Sequence, residues 1–194
     1  MDARALARLT RAARMRRPAN VTRAAALLLL ALSACTRTTD PTVPEPPSAT
    51  FELTSESITN GLAIPVRHTC DAPGNISPQL SWTGVPAEAA ELVLLVKDID
   101  APGGTFFHWV VAGIDPADGG VTEGQVPGDE LPNDLGTASY GGPCPPSGSH
   151  RYFFTLYAVR EPIDTTGLDA ASLEEAALDG AIAIAEISGT YERA

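Results

Sequence analysis

Three apolar runs restrict this chain more than anything else in it: Leu92-Val-Leu-Leu-Val96, Trp109-Val-Val-Ala112 and Tyr152-Phe-Phe-Thr-Leu-Tyr-Ala-Val159. Each has the length of a strand, and clusters of glycine, proline, asparagine and aspartate separate them. Two shorter stretches extend the series, the alternating Phe51-Glu-Leu-Thr-Ser and Leu80-Ser-Trp82. Strands spaced this regularly predict an antiparallel sandwich rather than alternating β-α units. One helix is expected near the end, where Ser172-Leu-Glu-Glu175 fits a capping box and Gly180 stops or weakens the turn that follows. Beyond it, Ile182 to Tyr191 alternates well enough for a last strand, with a longer helix as the alternative.

Charge divides the chain into unlike parts. The first 34 residues hold seven of the 13 basic side chains and one acid, which leaves six basic and 23 acidic residues in the remainder, a net of −17. A body this acidic is repelled by nucleic-acid phosphates and anionic membrane surfaces, so a nucleic-acid partner is not expected and any anion must be held in a local pocket. Residues 1–34 have the anatomy of an export signal: arginines, the run Ala24 to Ala34, then Cys35. Eleven residues are too few for a permanent membrane span. Leu32-Ser33-Ala34-Cys35 resembles a bacterial lipobox, which implies cleavage before Cys35 and its lipidation; the alternative is an ordinary secretory signal with a chance cysteine. Translation from Met15 would give that signal conventional proportions. Residues 35–50 then form a lipidated cysteine and a tether with four prolines, reaching roughly 3 Å per residue, or on the order of 45 Å. The domain proper is expected over residues 51–194, as part of an envelope lipoprotein on the periplasmic or cell-surface side.

Chemistry-bearing residues gather at the strand ends. His108 lies in Phe106-Phe-His-Trp109, His150 in Ser149-His-Arg-Tyr152, and Asp98 and Asp100 leave the strand that ends near Lys97. Strand alternation puts Asp98 and Asp100 on one face, and His150 with Tyr152 on another, leaving Arg151 to point elsewhere as a structural ion-pair partner. A carboxylate near His108 would favour the imidazolium and attract an anion. His68 has no evident partner and reads as a surface residue.

Five segments in order, CDAPGNISPQLSW (Cys70 to Trp82), DIDAP (Asp98 to Pro102), FFHWVV (Phe106 to Val111), YGGPCPPSGSHRYFFTLYAV (Tyr140 to Val159) and ISGTYER (Ile187 to Arg193), together resemble the phosphatidylethanolamine-binding protein family. The likeness is nearest its bacterial branch, the Raf-kinase-inhibitor-like proteins. The resemblance implies a mainly β, Greek-key sandwich with a few short peripheral helices and a small pocket for phosphate, phospholipid head groups or other small phosphorylated ligands. Carried over by motif, the pocket comprises Asp98, Ala101, Pro102, Phe106, His108, Gly142, Cys144, Pro145, Pro146, His150 and Tyr152, with Asp100 and Arg151 structural. Ile99 stands where the family often has proline. Glycines in the loop would let a bound oxygen approach the backbone, and prolines would hold the loop in shape.

With Cys35 assigned to the anchor, Cys70 and Cys144 remain as an even pair in an exported chain. A bridge between them is expected, against two free thiols or cysteines too distant to meet. No cofactor or metal is implied, since neither Cys-x-x-Cys nor paired histidine spacing occurs. Ser139 lacks the first glycine of a nucleophile elbow and Gly148-Ser149 lacks the lysine of a phosphate loop, so a binding protein is expected in preference to an enzyme. The alternatives are a module that inhibits or regulates a protein partner and, behind it, an acid-base enzyme built on His108, His150 and Asp98.

Overall fold

The structure, a computed structural model, describes residues 50–193. The expected signal sequence, the candidate start Met15, the expected lipidation site Cys35 and the expected tether up to residue 49 lie outside the described residues. Among the described residues nine strands form two sheets. β1 (Glu52–Thr54), β3 (Leu80–Thr83) and β6 (Gly119–Val121) make a small antiparallel sheet in the order β1-β3-β6. The larger sheet runs β2-β9-β8-β4-β5-β7, with β2 (Leu62–Ala63), β4 (Glu91–Asp98), β5 (Phe106–Ile114), β7 (Asp129–Glu130), β8 (Ser149–Val159) and β9 (Ala181–Glu192). All its pairings are antiparallel except β2 on β9.

Alternation in β4 and β8 explains the layers. Leu92, Leu94 and Val96 face the inter-sheet core with Phe154, Leu156, Leu80 and Trp82, whereas Val93 and Leu95 face the outer side with Tyr157 and the helix. Burial on both faces is why β4 reads as an unbroken apolar run. The helix α1 spans Ala170–Gly180 and covers that outer face through Ala170, Leu173 and Ala177. Its cap is Asp169, whose Oδ1 accepts from the Ser172 backbone N–H at 2.8 Å, so the helix starts a turn before the serine expected to cap it. The earlier start is the one that turns Ala170, Leu173 and Ala177 to a single face. The helix ends at Gly180 and the segment after it is the strand β9, paired with β8 along its length.

β4 and β5 slip by one residue between the pairs Val96–Trp109 and Lys97–Phe107, which leaves His108 as the extra residue of a β-bulge. The slip lets Trp109 and Val111 join the inter-sheet core while Phe107 turns to the opposite face. Bulges redirect side chains in this way. Here the redirected residue is a histidine at the end of the sheet.

A candidate ligand-binding cleft

Three neighbouring strands deliver the functional side chains to one end of the large sheet. Asp98 is the last residue of β4 and pairs with Phe106 on β5 and Tyr152 on β8, which puts these three side by side. Asp98 is 3% exposed; its Oδ2 accepts from His150 Nδ1 at 2.7 Å and its Oδ1 from the Asp100 backbone N–H at 2.9 Å. Asp100 does not share that face. The strand stops at Asp98, and the Asp100 carboxylate turns to Arg151, accepting from its backbone N–H at 2.9 Å and its guanidinium at 2.8 and 2.7 Å. Alternation fails there because it holds only while the backbone stays extended and paired. The guanidinium in turn holds the Asp100 carboxyl down, at about 2.

His108, 4% exposed, donates from Nδ1 to the Gly141 carbonyl at 2.8 Å, since a carbonyl can only accept. Nε2 is therefore the nitrogen left for a ligand. Its ring leans on Phe106 and meets Tyr152 edge-on, with centroids 5.0 and 5.3 Å away. Burial pulls its pKa below the ordinary histidine value, against smaller upward pulls from the Gly141 carbonyl and the Asp98 and Asp134 carboxylates. The expected imidazolium is thus reversed: desolvation outweighs a carboxylate already engaged by His150, and the ring is neutral at neutral pH. Tyr152 is fully buried, and its hydroxyl has no hydrogen-bond partner among the described residues. Burial first, then the nearby Asp98 carboxylate, raises the pKa of this phenol, which stays protonated.

The loop from Tyr140 to Pro146 forms the rim, and its first residues are tied down one by one. The Tyr140 hydroxyl donates to the His68 carbonyl at 2.7 Å, Gly141 N–H to the His108 carbonyl at 2.8 Å, and Gly142 N–H to Asn75 Oδ1 at 2.7 Å. Gly142 is needed for packing, whereas a methyl at Gly141 would chiefly displace the exposed Leu135 side chain. A Cβ on Gly142 would lie 2.2 Å from Asn75 Oδ1 and 2.7 Å from the His68 carbonyl, and one on Gly141 would lie 2.5 Å from Leu135. His68 is fully buried beneath this loop, bonded through Nδ1 to the Ile76 carbonyl and through Nε2 to Arg67, and is not a surface residue. Cys70 and Cys144 form a disulfide, Cα atoms 5.4 Å apart, that joins the loop to the turn after His68. Closing the 74-residue separation is worth roughly 4 kcal/mol on the chain-entropy account.

These parts enclose a cleft of about 340 Å³. Asp98 and His108 lie in it, Ala101, Pro102 and Phe106 give it apolar walls, and Gly142, Cys144 and Pro146 edge it. Three residues expected to line it stand behind that surface: Pro145 is buried in the loop, His150 backs Asp98, and Tyr152 backs His108. Three others line it unforeseen, Cys70, Asn75 and Leu135. Asn75 carried a signal, since Gly74-Asn75 marks a turn; with φ of 44° it adopts the left-handed conformation that asparagine tolerates. A more open hollow of about 490 Å³ adjoins through Asn75; its one carboxylate, Glu130, already accepts from Trp109 Nε1. Its walls hold neither His108 nor Asp98, so the smaller cleft is the site.

A β-sandwich whose strand ends converge on a small, mostly apolar cleft with a few polar groups defines a ligand-binding class of protein. The chain belongs to the phosphatidylethanolamine-binding protein family, whose model matches residues 54–192. It is 41% identical over 163 residues to LppC of Mycobacterium tuberculosis, named as a candidate lipoprotein, covering 80% of this chain and 79% of that one. It is 44% identical over 138 residues to a UPF0098 protein of Methanothermobacter thermautotrophicus, covering 67% and 91% of the two chains. Among solved structures it resembles CT736 of Chlamydia trachomatis, described as a candidate homologue of phosphatidylethanolamine-binding protein, with a TM-score of 0.69 and 37% identity over 75% of this chain and 99% of that one. Escherichia coli YbcL, described as a new member of the mammalian family, matches with a TM-score of 0.67 and 30% identity over 75% and 100%.

Proposed function

We propose that this protein is an exported, lipid-anchored binding protein whose cleft takes a phosphoryl group, free or on a small phosphorylated ligand or phospholipid head group, and binds it without turnover. The observation that carries the reading is the unpartnered Tyr152 hydroxyl, buried against Asp98 and His108. A buried hydroxyl without a partner costs about 1 to 3 kcal/mol, which a ligand oxygen accepting from it would recover. His108 Nε2, once it takes up a proton, and the Tyr152 hydroxyl behind that ring then form a pair of donors, while His150 Nδ1 occupies Oδ2 of the Asp98 carboxylate. Apolar walls exclude water and strengthen both bonds. With neither cysteine a free thiol, the cleft has no evident nucleophile, which favours binding over catalysis. The lipobox-like Leu32 to Cys35 and the name of the LppC relative support the anchor.

The test is a thermal melt of the full chain with phosphate, phosphoethanolamine and chloride as control. Binding at a hundredfold excess over Kd stabilises by about 2.7 kcal/mol. Tyr152→Phe removes only the hydroxyl and should leave the unliganded melt unchanged or raised while reducing the phosphate response. A full response in that variant, or none in the parent, ends the reading.

A further inference from the structure

The disulfide is placed differently from a bridge that only braces a core. Cys70 and Cys144 are both exposed, and both line the cleft. The bridge also stands at a change in how the rim is held. Upstream, Gly141 N–H donates to the His108 carbonyl, Gly142 N–H to Asn75 Oδ1, and Cys70 N–H to the Pro143 carbonyl at 3.1 Å. From Cys144 to Gly148, among the described residues, no backbone-to-backbone hydrogen bond is made, until β8 begins with the pair Ser149–Glu192. The buried Pro145 ring and the sulphur bridge hold this stretch, which includes Pro146 at the mouth of the cleft.

We infer that Cys70–Cys144 is a thiol–disulfide exchange site that gates the cleft: oxidised, the rim is fixed and the phosphoryl site complete; reduced, the rim from Cys144 to Gly148 loosens and the ligand is released. The inference rests on the phosphoryl-binding reading. The co-reactant is a dithiol. One of its thiolates attacks one sulphur of the bridge, the S–S bond breaks, and the other sulphur leaves as a thiolate that takes up a proton. The second thiol of the dithiol resolves the mixed disulfide, so the protein gains two electrons and two protons as two thiols and the reductant leaves as a disulfide. Because β4, β5 and β8 are held by their own ladders, the fold survives while the rim does not. Linkage also works in reverse, so bound phosphate shifts the equilibrium against reduction.

The experiment treats the full chain with dithiothreitol under native conditions and follows thiol release, far-ultraviolet circular dichroism, inorganic phosphate affinity and the His108 ring resonances. Reduction of a still folded protein with a loss of phosphate affinity of about ten-fold, restored by reoxidation, supports the gate. Equal affinity in the two states overturns it. So does a disulfide that yields only as the protein unfolds, which makes it a structural staple. If the oxidised protein does not bind phosphate at all, the binding reading fails by itself, and the gate is judged by the His108 resonances: a shift on reduction supports a rim that moves, and unchanged resonances overturn it.

Discussion

Replacing Gly142 by alanine tests the rim by one carbon atom. The new Cβ would stand 2.2 Å from Asn75 Oδ1, 2.7 Å from the His68 carbonyl oxygen and 2.8 Å from the Thr69 Cα. Two of those three are backbone atoms that cannot swing away. The His68 carbonyl is held by the Tyr140 hydroxyl, the His68 ring by the Ile76 carbonyl, and the Thr69 hydroxyl by the Val66 carbonyl at 2.8 Å. The loop must therefore move, which breaks the bond from Gly142 N–H to Asn75, worth about 1 kcal/mol. Overpacking adds about 1 to 3 kcal/mol. The expected loss is about 2 to 4 kcal/mol, or a fall in Tm of about 6 to 12 °C for a domain of this size. Gly103 is the control: a Cβ there meets nothing within 4 Å, so Gly103→Ala should stay within about 0.5 kcal/mol of the parent. Urea unfolding of both variants with unchanged m-values gives the comparison. A Gly142→Ala variant as stable as Gly103→Ala would refute the account of why the rim carries glycine.

Phosphate binding should take up a proton. His108 is held neutral by burial, and Nε2 must carry a hydrogen to donate to an oxygen, unless the ligand brings it as its own monoanion. Calorimetry in buffers of different ionisation enthalpy at about pH 8, where the phosphate enters as the dianion, should register uptake of about one proton; zero or net release would contradict the donor role. The same depressed pKa means that the unfolded state protonates first as pH falls from the ordinary value of 6.5, so stability drops through that window and levels below the folded value. His108→Gln should flatten that part of the stability profile. At the acid end, the Asp100 carboxyl titrates at about 2 when folded against 3.8 ordinarily, so the stability it contributes is full above 3.8 and disappears as pH falls through about 2. Arg151→Ala should flatten this acid limb and leave phosphate binding intact; a changed affinity would show that Arg151 reaches the ligand.

Much of the scaffold was legible because strand periodicity is local. The runs at Leu92, Trp109 and Tyr152 all became long strands, and the alternation that set His150 and Tyr152 apart from Arg151 appears as Asp98 bonded to one and Asp100 to the other. The strands β2, β6 and β7 were not legible, since two or three residues carry no pattern and owe their pairing to a partner far along the chain. The same limit hid the bulge at His108, which exists only in the register between β4 and β5. It also hid the burial of His68, whose cover comes from Tyr140, 72 residues on. Site chemistry was legible as residue types. Its electrostatics were not, because the charge state of His108 depends on how far desolvation outweighs a carboxylate that faces another ring.

The large sheet ends on one side in a long strand with a very short neighbour: β2 covers β9 only at Gly189 and Thr190. From Ala181 to Ile187 the outer edge of β9 has no strand beside it among the described residues, and its sequence, Ala-Ile-Ala-Ile-Ala-Glu-Ile, contains a single charge. Such an edge is a template for another copy of itself. Molecules crowded side by side would meet at that edge often, and Glu186, the one charge on this stretch, would bring like charges together there. The acidic surplus, −17 beyond the first 34 residues, acts in the same direction over a longer range. Much of this domain's solubility in a crowd would then rest on repulsion, and salt, by screening it, would expose the edge.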